Sequence, residues 1–154
     1  MESNVELAEI ELRQYIVVKI EDEQYGIDIK YIDNIVRMQK ITRVPKAPSY
    51  FNGIINLRGE VVPVMSIRTK MGLPADVFTD DSRIIVLKVE QQGALGMIID
   101  EVKEVVTLST EEIDKVASNV KDEKSNYING IGKHGDELIS LFDINCIIEE
   151  REYV

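Results

Sequence analysis

The chain has 154 residues, enough for one compact domain or for two small lobes that share a core, and its composition narrows the function classes at once. With 28 acidic against 18 basic side chains the formal net charge is −10, and the lysines and arginines read as scattered rather than gathered into a stripe, so a nucleic-acid backbone or an anionic membrane would repel the surface. A single cysteine, Cys146, leaves no internal disulfide, and no signal peptide or spanning run is apparent, which leads to the expectation of a soluble cytoplasmic protein without membrane insertion.

Residues 1–13 are expected to form a disordered acidic tail, since Met1 to Glu11 carry four glutamates and no base. Tyr15 to Ile20 is apolar and β-rich, Glu21-Asp22-Glu23 reads as a charged turn, and Tyr25 to Ile29 resumes the run, so the first element is a hairpin. Ile29, Ile32, Ile35 and Val36 suit a helical turn that runs into another strand. Val44-Pro45 and Ala47-Pro48 make a rigid connector, and Ser49 can cap a brief helical turn before Gly53.

Asn52 to Ile67 carries the strongest local signal. Ile54, Ile55 and Leu57 precede, and Val61, Val62, Val64, Met65 and Ile67 follow, the pair Arg58-Gly59, which reads as a tight turn with Gly59 at positive φ. Arg58 then stands on a rigid tip within reach of a partner. Pro63 predicts an edge or a bulge for its strand, and Gly72 and Pro74 stop a helical turn begun at Ile67. Pro74 to Ser82 is a polar link.

The second half opens with Arg83 to Val89, a nearly continuous apolar run expected to be buried on both faces. Gln91-Gln92-Gly93 turns it into Leu95 to Ile99, and Val102, Val105, Val106 and Leu108 supply the next strand. Asn119 to Asn126 is the longest polar loop, Tyr127 to Phe142 a weaker hairpin, and Asp143 the cap of a terminal helix bearing Ile144, Ile147 and Ile148 on one face and Glu149, Glu150 and Glu152 on the other.

The halves repeat. A shift of 77 residues matches Tyr50, Asn52, Gly53, Ile54, Glu60 and Ile67 with Tyr127, Asn129, Gly130, Ile131, Glu137 and Ile144, and a shift of 70 matches Gly26, Ile29 and Val36 with Gly96, Ile99 and Val106. Each copy offers about five short strands, so two tandem five-stranded barrels are expected, because closure removes the edges that short strands expose. The lobes fall at about 14–75 and 83–142, with the terminal helix at 143–150, inside one unit 14–154. Each lobe is too small to bury enough surface alone, which implies a third core between them.

Catalytic signals are weak. Gly130-Ile131-Gly132-Lys133-His134-Gly135 fits G-x-G-x-x-G, but alternating strand residues follow where a phosphate-binding helix should begin. His134 is expected at a hairpin tip, exposed and without the positioned partner a general base needs, and Cys146 on the buried-looking face of the last helix, where it reads as core packing rather than as a catalytic thiol. One histidine and one cysteine make no zinc set, Asp80-Asp81 reads as linker polarity, and no G-x-S-x-G occurs. A binding module without enzymatic activity, cofactor or metal is the reading that remains.

Tyr25-Gly26-Ile27-Asp28-Ile29, Thr42-Arg43-Val44-Pro45 and Gly53 through Val64, with Asn56-Leu57-Arg58-Gly59 as the most specific part, closely resemble the CheW family of bacterial chemotaxis coupling proteins, from about Gln14 to Glu149. The resemblance implies a mainly β fold of two intertwined SH3-like barrels and a scaffold that joins chemoreceptor cytoplasmic tips to the histidine kinase CheA within membrane-associated arrays. The same module occurs in CheA itself and in CheV-type adaptors; a chain that stops after the terminal helix favours the stand-alone coupling protein. The resemblance also implies a kinase-facing surface around Ile32, Asn34, Val36 and Gly53, and a receptor-facing groove near Arg58 with Ile84, Ile85, Val102 and Val105. Asn34 stands where family members often carry glutamate.

Overall fold

A computed structural model describes residues 10–89, 93–115 and 125–148. The strands are β1 (Leu12–Ile20), β2 (Glu23–Asp28), β3 (Ile32–Arg37), β4 (Phe51–Leu57), β5 (Glu60–Ser66), β6 (Arg83–Val89), β7 (Gly93–Ile99), β8 (Glu101–Ser109), β9 (Ile113–Lys115), β10 (Ile128–His134) and β11 (Glu137–Phe142). Short helical pieces at Ile67–Lys70 and Ile144–Ile148 follow β5 and β11. β1 begins at Leu12, inside the segment expected to be tail; residues 1–9, the turn residues Gln91 and Gln92, most of the polar loop and Glu149 to Glu152 lie outside the described residues.

The strands form a six-stranded sheet, β8-β1-β2-β11-β10-β9, and a five-stranded sheet, β3-β6-β7-β5-β4. Neither sheet follows the sequence boundary between the halves. Each half gives its opening hairpin to the other: β1-β2 lies with β8 to β11, and β6-β7 lies with β3 to β5. The seams are the only parallel pairings among the described strands, and they are equivalent under the repeat, Leu141 opposite Gly26 and Val64 opposite Gly96. The repeat therefore does not coincide with the sheets, which arise by reciprocal exchange of hairpins between the halves, one with six strands and one with five where two tandem five-stranded units were expected; that exchange is consistent with intertwined barrels.

Glycine is required at both seams. A Cβ on Gly26 would lie 2.8 Å from Leu141 Cδ2, and one on Gly96 would lie 2.9 Å from Ile84 Cγ2 and 3.2 Å from Val64 Cγ2. The repeated Asn-Gly pairs are also equivalent, because Asn52 and Asn129 are the unpaired residues of bulges in β4 and β10. Ser66 and Asp143 cap the two helical pieces, accepting from the N–H of Thr69 at 3.1 Å and of Cys146 at 3.2 Å. Pro63 sits in an interior strand rather than at an edge; the parallel pairing of β5 with β7 starts one residue later, at Val64, so no sheet bond is lost.

Strand alternation divides the apolar residues among three cores. Tyr15, Val17, Val106, Leu108, Ile139 and Leu141 fill the six-stranded sheet's own core. Ile55, Val62, Val64, Ile84, Val86 and Ile98 fill the other's. Between the sheets lies the expected third core, the largest, with Val18, Ile20, Tyr25, Ile27, Met65, Ile67, Ile85, Leu87, Met97, Ile99, Phe142 and Ile144 among its members. Tyr25 stacks on Phe142 within it, ring centroids 4.8 Å apart. Lys70 lies over the repeat-related rings of Tyr50 and Tyr127, at 4.6 and 5.8 Å, and donates to the Ile147 carbonyl, so one cation ties both halves together.

Candidate functional site

The β4-β5 turn presents Arg58 as the sequence predicts, and more rigidly. Arg58 (φ 55°) and Gly59 (φ 84°) both have positive φ, the requirement of a two-residue hairpin turn whose twist matches its strands. The Asn56 side chain accepts from the Gly59 N–H at 3.1 Å and fixes the turn. Arg58 is exposed, with no ion pair to a described residue.

β3 carries Ile32, Asn34 and Val36 at one end of the five-stranded sheet. A bulge at Asp33 separates the Ile32–Leu87 and Asn34–Val86 pairs, and the Asn34 side chain accepts from the Ile35 N–H at 2.8 Å. All three are half-buried: Ile32 packs against the shared core and Val36 against the sheet's own. Gly53 is different. It is buried at φ 139°, and a Cβ there would lie 2.1 Å from the Thr42 carbonyl oxygen, inside the reciprocal bonds between Thr42 and Ile54 (2.8 Å each) that close β4 onto the connector. Its role is to permit that closure, and it has no side chain to offer a partner.

Of the groove residues, Ile84 and Ile85 are both wholly buried, Ile84 in the five-stranded sheet's own core and Ile85 in the shared core. β6 is an interior strand covered on both faces, so in the free chain both side chains are spent on packing. Val102 and Val105 are better placed. Their odd spacing would put them on opposite faces of a regular strand, but Lys103 is bulged out, so Val102 pairs with Val18 and Val105 with Ile16 and both share the face turned to the junction of the sheets. Val105 is 55% exposed and Val102 half-buried.

Two features escaped the sequence reading. One is an ion node at the junction. Arg68, following buried Ile67, donates through Nε to Asp100 at 3.0 Å and through Nη2 to the same carboxylate, and lies 3.7 Å from Glu21 and 4.0 Å from Asp76. Burial pushes the Asp100 carboxyl up, but the Arg68 bonds and the Glu21 N–H outweigh it and hold Asp100 below the ordinary aspartate range. Burial dominates at Asp76, whose carboxyl is raised despite the Ser66 hydroxyl it accepts from. The node pins the β1-β2 turn, the β5 helix and the β7-β8 corner to one another. Asp100, directly after the apolar run Met97-Ile98-Ile99, was the available signal.

The other is charge. From Asn34 to Gly59 the chain carries Arg37, Lys40, Arg43, Lys46 and Arg58 and no acid, where about five acids would fall at the chain's average. All five cations are exposed. The expectation of evenly scattered bases fails here, because an overall excess of acid masks a local excess of base.

The nucleotide-like glycine run lies in β10 and the turn at Gly135, a hairpin and not a strand-to-helix turn, and His134 ends β10 opposite Glu137. Cys146 is half-buried on the terminal helix.

A family model described as a CheW-like domain matches residues 14–152. The chain belongs to the CheW family. Among curated CheW relatives, the chemotaxis protein CheW of Helicobacter pylori is 37% identical over 140 residues, covering 91% of this chain and 84% of its own. That of Bacillus subtilis is 33% identical over 136 residues, covering 88% and 86%. The crystal structure of the scaffolding protein TtCheW from Thermoanaerobacter tengcongensis superposes with a TM-score of 0.79 at 30% identity, over 86% of this chain and 90% of that one. The mainly β, two-sheet architecture is thus the CheW architecture, and the Asn-Leu-Arg-Gly turn on which the resemblance rests is a rigid, solvent-facing tip in it.

Proposed function

We propose that the chain is a non-catalytic coupling scaffold of bacterial chemotaxis, recruited from the cytoplasm to membrane-associated receptor arrays, where it holds chemoreceptor cytoplasmic tips and the histidine kinase CheA together. The observation that carries this reading is the CheW-like match across residues 14–152. Two sheets locked by one shared core give the geometry a coupler needs, since two faces on one rigid body fix the relative placement of two partners. A shift of the receptor then changes the active population of the kinase, to the extent that the scaffold binds one arrangement better.

The kinase-facing surface is assigned to β3, through Ile32, Asn34 and Val36, with Gly53 acting from inside by allowing β4 to close. The receptor-facing surface is assigned to Arg58, whose guanidinium can bond a carboxylate bidentately, and to Val102 and Val105 at the junction of the sheets. Ile84 and Ile85 support this surface from within.

Co-sedimentation tests the reading. A receptor cytoplasmic fragment clustered on vesicles should carry the kinase into the pellet only when the chain is added. Kinase that pellets equally without the chain, or never pellets with it, refutes the proposal.

A further inference from the structure

The repeat relates two cavities of about 370 Å³ each. In the first half, Ile41, Arg43 and Asn52 line one of them, and the segment that leads into β6 runs along it, with Ala75, Asp76 and Phe78 in its wall. That segment is tied down. The Ser66 hydroxyl donates to Asp76, Arg68 donates to the Pro74 carbonyl at 3.2 Å, and Arg83 donates to the Asp80 carbonyl at 2.8 Å. The second cavity has the matching wall: Thr42 bridges Ile54 as Asp114 pairs with Ile131, so Ile113, Lys115 and Asn129 stand where Ile41, Arg43 and Asn52 do. Asp143, Asn145, Lys30 and Arg13 also line it, at the places of Ser66, Arg68, Asp100 and Arg83 under the shifts of 77 and 70 residues.

The charges differ between the halves. Asn145 replaces the cation Arg68, and Lys30 replaces the anion Asp100. The second cavity thus holds three cations, Arg13, Lys30 and Lys115, and two acids, Asp28 and Asp143. Both acids already serve as caps, Asp28 accepting from the Lys30 N–H at 3.0 Å and Asp143 from the Cys146 N–H at 3.2 Å. Arg13 meets Glu11 at 3.4 Å, whereas Lys30 and Lys115 are exposed and carry no ion pair to a described residue. The start of β1 is aimed at this wall. Thr110 donates to the Glu11 carbonyl at 2.9 Å, which carries the β1-β8 pairing beyond Leu12 and Ser109 towards Ile113 and Lys115.

We propose that the acidic segment Val5 to Ala8 straps the second cavity as Ala75 to Phe78 straps the first, with the Glu6 carboxylate, the counterpart of Asp76, set between Lys30 and Lys115. Charge and reach select this occupant. The first eleven residues carry four glutamates and no base, and the four residues from Ile10 back to Glu6 span up to about 14 Å when extended. The chain beyond Ile148 is the rival, but the shift of 77 residues brings Tyr153 rather than an acid to the place of Asp76. Weak contacts suffice, because the tether holds the segment at a millimolar effective concentration.

Paramagnetic relaxation on the full chain tests this, with a nitroxide attached through Ser3→Cys in a Cys146→Ser background. At low salt the amides of Lys30, Lys115 and Asn129 should be broadened about threefold or more beyond that of Gly59 in the other sheet, and NaCl at about 500 mM should remove most of the difference. Lys30→Glu with Lys115→Glu, shown folded by circular dichroism, should abolish the broadening, and adding Glu6→Lys should bring it back. Broadening no greater at the cavity than at Gly59 is the behaviour of a disordered tail and overturns the inference. Broadening that survives the two lysine replacements overturns it as well. A nitroxide attached through Tyr153→Cys that broadens the cavity where the first label does not assigns the site to the C-terminal segment, and broadening carried from one chain to another in a mixed sample assigns it to a second copy; either result overturns the proposal.

Discussion

Replacing Ile85 by valine separates a contact residue from a core residue. Ile85 is 0% exposed in the core between the sheets, paired across β6-β7 with Met97, which is also 0% exposed. Ile→Val removes one methylene from such a site and costs about 0.5–1.5 kcal/mol. For a chain of this size each kcal/mol lowers Tm by about 2–4 °C, so the melting temperature should fall by about 1–6 °C. A fold stabilised by even about 5 kcal/mol remains almost wholly native at 20 °C after that loss. Thermal melts followed by circular dichroism give the first quantity, and receptor-fragment capture at 20 °C gives the second. Capture should be unchanged. A variant with wild-type Tm and weakened capture would refute the placement of Ile85 as support and restore it as a contact. Ile84→Val should behave the same way from the other core.

Arg58→Ala should show the reverse pattern, a stability change within about 0.5 kcal/mol in urea unfolding and clearly weaker receptor capture. Gly26→Ala and Gly96→Ala should each cost about 1–3 kcal/mol by overpacking, read as a lower urea midpoint, because the repeat gives them equivalent seams with a Cβ under 3.0 Å from a neighbour. Gly53→Ala should be worse than either, since the obstacle is backbone. Asp100, held below the ordinary aspartate range, contributes stability that is complete above its unfolded pKa and lost as pH falls through the lowered folded value. Asp100→Asn should therefore be destabilising at pH 7 and converge on wild type in acid. Asp76, raised by burial, has the opposite sign: its contribution is complete below its unfolded pKa and lost as pH rises through the raised value, so Asp76→Asn should be tolerated at pH 7, as melts across pH would show.

Much of the fold was legible because its signals are local. The Asn52 to Ile67 hairpin announces itself through alternation and a two-residue turn, and the shifts of 77 and 70 residues match Asn52 with Asn129 and Gly26 with Gly96, which the structure places at equivalent bulges and equivalent seams. The third core followed from lobe size alone. What periodicity could not show was pairing. That β1-β2 crosses to the far sheet depends on contacts more than 100 residues apart, such as Tyr25 with Ser140. The bulge at Lys103, which puts Val102 and Val105 on one face, leaves no trace in spacing.

The surface was read less well than the core. Ile84 and Ile85 lie in a run expected to be buried on both faces, and that reading conflicts with a groove role; the structure resolves the conflict in favour of burial. The local excess of base from Arg37 to Arg58 was hidden by the global charge, and Arg68 by its place in a four-residue helical turn whose ion partners, Glu21, Asp76 and Asp100, come from separate segments.

The coupling claim is tested most directly by kinase autophosphorylation in the presence of receptor fragment as the concentration of this chain is raised. A bridge with two separate faces gives a bell-shaped curve, rising as complexes assemble and falling when excess chain occupies receptor and kinase separately. A rise to a plateau at large excess, or no response at any concentration, would contradict the account.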